Sequence, residues 1–156
     1  MSSPPLNIPS TSTVNIYVID TTTRMNGVPI KLLMEPEYRG FEVFIGVPSF
    51  SFLLEHPSTG HKYLFDLGIR KDHENLPPRL VKIMEKGGWS FTAEKNVVEI
   101  LAEGDVDPKV INGIIWSHYH WGHTGDPSTF PPSADLIVSP GFKDALLPGY
   151  PTNPKA

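Results

Sequence analysis

Residues 117–126 read Ser-His-Tyr-His-Trp-Gly-His-Thr-Gly-Asp, so that half of the chain's six histidines fall within one short segment. His118 and His120 are two apart, and on an extended backbone both imidazoles then point to one side. His123 returns toward the same point if the chain turns at Gly122. Three neutral imidazoles converging in this way suit zinc, which takes nitrogen ligands at about 2.0–2.1 Å in a roughly tetrahedral shell. Such a set can also be shared between two ions. The chain has no cysteine, so a metal has only histidine and carboxylate to bind. His56, His61 and His73 each stand alone among Pro, Gly, Lys or Glu and read as surface loop residues without a role.

The elements that position this segment are legible on either side of it. Residues 111–116, Ile-Asn-Gly-Ile-Ile-Trp, form a short apolar run consistent with a buried strand. The histidines therefore leave its carboxyl end, where loops on sheets commonly hold chemistry. Upstream, residues 14–20 are β-branched and aromatic and predict a strand. Residues 28–34 predict a weaker strand, with Pro29 confined to its start or to an edge. Residues 49–55 and 62–66 predict a hairpin turning over 56–60. Apolar residues at helical spacing over 77–86 predict a helix stopped by Gly87-Gly88. A second helix has Thr92 as its cap, Val97, Ile100 and Leu101 on one face, and Gly104 at its end. Asp107-Pro108 opens one further turn. A strand at 135–138 and a short helix at 140–146 follow, and residues 149–156 form no nameable element.

At 156 residues one domain is the default, long enough to bury a core. With 39% hydrophobic and 10% aromatic residues, the composition is that of a folded protein. A net charge of −4 supplies no basic field, so nucleic acid and membrane surfaces are not expected partners. Met1 to Ser12 is rich in Ser, Pro and Thr without the basic and apolar regions of a secretory signal. No stretch reaches the roughly 20 apolar residues of a membrane span, and a cytoplasmic location is the expectation. Seventeen prolines, about twice the ordinary share of roughly 5%, fall between the apolar runs and imply stiff loops. The expected organisation is a disordered tail over 1–12, a domain over 13–147 and a loop-like end over 148–156.

His118-Tyr-His120-Trp-Gly-His123 resembles the His-x-His-x-Asp-His signature of the metallo-β-lactamase superfamily, and Ser117 to Asp126 is similar to its lactonase-like and fungal lactamase-like members. Leu64-Phe65-Asp66-Leu67-Gly68 resembles the family's strand followed by Asp-x-Gly, and the strand at 14–20 with the hairpin at 50–66 corresponds to its opening strands. The resemblance implies an α/β fold, the first half of an αβ/βα sandwich, with a mixed β-sheet carrying helices on one face. It implies His118 and His120 as ligands of a first zinc ion, His123 as a ligand of a second, and Asp66 as a residue ordering the ligand loop from behind. Read from the residues alone, Asp66 is equally well a strand-end turn residue. The implied activity is metal-dependent hydrolysis. Zinc lowers the pKa of bound water from 15.7 to about 7, and the hydroxide opens a lactone, lactam or thioester without a serine or cysteine nucleophile.

Two departures qualify that expectation. Gly122 stands where the signature has aspartate, and it can neither ligate a metal nor carry a proton. One or two zinc ions are thus expected with the second site impaired, and no residue takes the role of catalytic acid or base. Asp126 reads instead as the cap of the turn at 127–129. No histidine follows His123, so the family's later ligands have no counterpart. A half-sandwich also leaves an apolar sheet face open to self-association. The alternative reading is a truncated or decayed, non-catalytic relative that binds one metal weakly or none. A nuclease-like or glyoxalase-like reading has no support in charge or in any distinctive residue. Tyr119 and Trp121, lying between the histidines, either shape a pocket wall or simply pack.

Overall fold

The structure is a computed structural model and describes residues 11–36 and 38–153. The expected tail therefore lies almost wholly outside the described residues, as do the last three positions of the expected loop-like end. Six strands form one mixed sheet: β1 (Asn15–Asn26), β2 (Val47–Glu55), β3 (Lys62–Phe65), β4 (Ser90–Thr92), β5 (Ile111–Ile115) and β6 (Asp135–Ile137), in the spatial order β4-β1-β2-β3-β5-β6. The β1–β2, β2–β3 and β1–β4 pairs are antiparallel, and β3–β5 and β5–β6 are parallel. Among the described residues four α-helices join them: α1 (Pro78–Gly87), α2 (Val97–Glu103), α3 (Trp121–Thr124) and α4 (Phe142–Leu146).

Alternation along the strands divides the sheet into two faces. Ile19, Leu53, Leu64 and Ile114 point to one face and form the core with Val97 and Leu101 of α2. On the other face the register aligns Val18, Phe52, Phe65, Ile115 and Ile137 in one row across five strands. The ends of this row are open, with Val18 66% exposed, Ile137 40% and neighbouring Ile16 60%, whereas Phe52, Phe65 and Ile115 between them are half-buried. The expected mixed sheet with one helix-covered face and one open apolar face is thus what the chain forms.

Three elements depart from the sequence-based expectation. β1 does not stop at Asp20 but runs to Asn26, because the β-branched residues 21–23 continue the strand through an irregularity at which Thr22 takes φ 59°. Thr21 and Thr23 are buried there. Residues 28–34 are not a strand. Pro29 has no N–H to offer a ladder and makes a single bridge to Val43, after which Ile30–Leu32 close a 3-10 turn with Leu33 N–H donated to the Ile30 carbonyl at 2.9 Å. Thr92 does not cap α2, since it ends β4 opposite Arg24. Asn96 precedes the helix instead, donating its N–H to the Glu99 carboxylate at 2.8 Å, half of a capping box. Among the described residues no helix is long and apolar enough to cross a membrane.

An open apolar row should bind a hydrophobic dye, and replacing Ile16 and Val18 together by threonine should lower that binding. Because both side chains are more than half exposed and threonine suits a strand, thermal stability should change by no more than about 0.5 kcal/mol per site. Unchanged dye fluorescence would mean that this face is covered in solution.

Candidate metal centre

The histidine segment begins where β5 ends and is fastened at both ends to the turn that follows β3. Asp66 N–H donates to the Ile115 carbonyl at 2.9 Å, Leu67 N–H to the His123 carbonyl at 2.7 Å, and Gly125 N–H to the Gly68 carbonyl at 2.9 Å. Ser49 Oγ reaches the Gly122 carbonyl at 2.8 Å from β2, and the Trp116 indole N–H reaches the Thr124 carbonyl at 3.0 Å. Carbonyls of the single helical turn α3 are thereby satisfied by neighbours. The fit is close enough to dictate residue type at Gly125. Its φ of 49° and ψ of −138° suit no side chain, and an added Cβ would run into Leu67.

Asp66 lies at the centre of this arrangement, 4% exposed and in the left-handed region at φ 57°, which aspartate tolerates better than most residues. Its Oδ1 accepts the Ser117 N–H at 2.8 Å. Its Oδ2 accepts the Ser117 hydroxyl at 2.7 Å and lies 2.8 Å from His123 Nδ1. Burial pushes its pKa up, but the hydrogen bonds from His123 and Ser117 outweigh it and hold the carboxyl below its ordinary 3.8. The group is therefore an ionised acceptor with no proton to give.

That state fixes the tautomers by elimination. An acceptor-only carboxylate requires the proton on His123 Nδ1. Ser117 spends its one proton on the same carboxylate, so its contact with His118 Nδ1 at 2.9 Å is accepted by Ser117 from a protonated Nδ1. In their neutral forms both imidazoles then present Nε2 as the nitrogen with a free lone pair, the form a metal binds. Burial, then the neighbouring His123 and His120, push the His118 pKa below 6.5 and favour the neutral ring.

The three rings predicted to converge do lie together. His118 is 4.3 Å from His123 and 4.5 Å from His120 between ring centroids. As placed they stop short of a finished site, since among the described residues no three histidine or acidic side chains have donors gathered to hold an ion. Neutral imidazole is a donor that zinc takes, but the three rings as placed do not form a metal shell. His120 is exposed, and exposed rings reorient rapidly. His56 and His61 sit on the hairpin turn, and His73 packs edge-on against Phe91 at 4.5 Å. Asp126 caps the 127–129 turn, accepting from Ser128 N–H at 3.1 Å, and also pairs with Arg70. Tyr119 is 59% exposed beside His120. Ser117 received no role from sequence, although a hydroxyl directly before the first histidine was the available signal.

The sheet order and the histidine loop at the end of β5 define a metallo-β-lactamase-type fold. The solved structure of a quorum-quenching N-acyl homoserine lactone lactonase superposes with a TM-score of 0.57 at 21% identity, over 90% of this chain and 51% of that one. No protein-family model matches the chain. Among curated proteins it is 47% identical over 154 residues to Gamma-lactamase FDB1 of Fusarium pseudograminearum, covering 96% of this chain and 37% of that protein. It is 42% identical over 159 residues to Cytochrome P450 monooxygenase mpaDE' of Penicillium brevicompactum, covering 98% of this chain and 18% of that protein. It is also 38% identical over 156 residues to Metallo-hydrolase mfmC of Annulohypoxylon moriforme, covering 97% of this chain and 40% of that protein. The chain thus has the metallo-β-lactamase fold of that lactonase, and over nearly its whole length it is similar to proteins named gamma-lactamase and metallo-hydrolase. It spans well under half the length of these curated relatives.

Replacing Gly125 by alanine should destabilise the protein by about 2–4 kcal/mol, from the backbone conformation together with the clash at Leu67, read as a lower urea midpoint. Acid should act through the centre itself. Asp66, with its folded pKa depressed, contributes stability that is complete above 3.8 and lost as pH falls through the lower folded value. His118, depressed below 6.5, begins to cost stability below that value, because the unfolded chain takes up a proton that the folded ring refuses. The melting temperature should thus fall on acidification from neutrality. Asp66→Asn should cost about 1–3 kcal/mol at neutral pH and flatten the decline below about pH 4. Equal melting temperatures at neutrality would show that the carboxylate does not hold the loop.

Proposed function

We propose that this chain carries the histidine loop of a metal-dependent hydrolase that opens a lactone, lactam or related acyl bond. The observation that supports it is the set of three adjacent imidazoles in which Asp66 and Ser117 hold the Nδ1 protons of His123 and His118, leaving each Nε2 free. His118 and His120 would hold a first zinc ion and His123 contribute to a second. Bound zinc would supply hydroxide at neutral pH by lowering the pKa of water to about 7. The chain's own part is to orient the rings, through the Asp66 carboxylate and the Ser117 hydroxyl. The names of two of its relatives, a gamma-lactamase and a metallo-hydrolase, point to the same class of reaction.

A second reading, a non-catalytic relative that holds one metal weakly or none, is favoured by one feature. Gly122 puts no carboxylate beside His123, and a Cβ built at that position meets nothing within 4 Å. A side chain could therefore start there without meeting a described neighbour. Zinc measured per chain after equilibrium dialysis separates the readings. The hydrolase reading expects zinc in the unaltered protein and its loss in His118→Asn/His120→Asn, with Gly122→Asp gaining a further ion without loss of stability. If the unaltered chain and Gly122→Asp hold no more zinc than the double variant, the hydrolase reading is wrong.

A further inference from the structure

β3 and β5 run parallel, and their alignment outlasts the strands. Phe65 stands opposite Ile115, and beyond that pair Asp66 bonds to Ile115, Leu67 to His123 and Gly68 to Gly125, in the same order along both segments. Residues 118–122 are therefore let out of a continuing parallel alignment, with His118 and His120 inside the bulge and His123 at its base. The next contact in the order is ionic. Arg70 Nη2 donates to Asp126 Oδ2 at 3.1 Å, one residue past Gly125. The same guanidinium is gripped by Asp72, through Nε at 2.9 Å and Nη2 at 2.8 Å, a fork that fixes its plane. Asn75 holds the Asp72 carboxylate in turn, donating to it at 2.7 Å. The side chains of Arg70 and Asp126 are 21% and 14% exposed, so their attraction is less screened than that of a surface pair.

We propose that Arg70 is a positioning residue of the histidine loop: held by Asp72, its guanidinium grips Asp126 and closes the carboxyl end of the loop, so that the His123 ring stays on Asp66. The inference rests on the hydrolase reading only for what that loop would serve. α3 has four residues, too few for a helix to be stable by itself, and its geometry is set by what holds its ends. Ser117 on Asp66 holds the approach to it. At its carboxyl end the chain passes through Gly125, the residue type with the greatest conformational freedom, and the first side-chain anchor beyond is Asp126. The contacts of Ser49 and Trp116 reach carbonyls within the turn and not past it. His123 is bonded to the segment after β3 twice, by its carbonyl to Leu67 and by its ring to Asp66, so a shift at Gly125 is passed to the ring. Asp126 Oδ1 serves the separate cap on Ser128, which allows the ion pair to be cut while the cap remains.

The test is amide hydrogen exchange of the full chain in zinc-free solution, read residue by residue by NMR together with the His123 Nδ1–H signal. Asp126→Asn keeps an oxygen for Ser128 and turns an amide donor toward Arg70. Arg70→Met removes the charge, and Arg70→Lys returns it without the fork. In Asp126→Asn and Arg70→Met the Leu67 and Gly125 amides should exchange faster by about tenfold or more, and the His123 ring N–H signal should broaden or vanish. Amides of the β1–β2 ladder should keep their rates, and Arg70→Lys should fall between the unaltered chain and Arg70→Met. Equal acceleration in the ladder and in the loop would make the pair a source of general stability and overturn the proposal. Unchanged Leu67, Gly125 and His123 signals in Asp126→Asn would overturn it too. Zinc uptake measured by dialysis keeps the two readings apart. Local loosening in a chain that takes up no zinc upholds Arg70 and removes the hydrolase reading, whereas zinc uptake without local loosening does the reverse.

Discussion

A buried carboxylate cannot stay ionised without donors, and Asp66 meets that requirement with the Ser117 N–H, the Ser117 hydroxyl and the His123 ring. Each of these donors belongs to the segment that follows β5, so satisfying one charge on the β3 turn draws the whole histidine loop against it. The backbone repeats the attachment through Leu67 with His123 and Gly68 with Gly125. Ring orientation and proton position then follow without any further group, because an acceptor at one end of the chain of hydrogen bonds leaves only one arrangement of protons at the other.

Much of this could be read from the residues before any coordinates, and the part that could not has a physical reason. The hairpin, β5, α1 and the histidine triplet are carried by local pattern, which survives in the fold because neighbouring residues decide it. Asp66 could be singled out only through a resemblance, since its position at a strand end is equally well explained as a turn. Its partners Ser117 and His123 lie 51 and 57 positions away, and no local pattern reports such a pairing. β1 was cut short for a related reason. Three successive threonines look like a boundary in sequence, whereas burial against Ser49 and Gly68 makes them strand interior. Pro29 misled in the other direction, because the apolar residues after it form a 3-10 turn and not a strand.

The same separation of near and far explains the two faces of the sheet. α2 is only seven residues long, yet it covers Ile19, Leu53 and Leu64 because its capping box and the Gly104 end fix it over β1 and β2. Among the described residues the row from Val18 to Ile137 is left open at its ends and only half-buried between them. An α/β layer of this kind is stable only when each apolar face finds a partner. The open row is thus the least satisfied part of the fold, while the histidine loop, at one end of the sheet, is held independently of it by Asp66.

Gly122 is where these constraints leave a choice. Gly68 and Gly125 are required by the backbone and by close neighbours, and an added Cβ at either would strike Thr21 or Leu67. Gly122 has neither constraint, with no left-handed conformation and open space where a side chain would start. Glycine within a helical turn is even slightly unfavourable, by about 0.5–1 kcal/mol relative to alanine. Packing and conformation therefore give no reason for glycine at this position. What it decides is chemistry, because the loop itself then brings no carboxylate to the three imidazoles, and the acidic partner of His123 is Asp66 on the β3 turn.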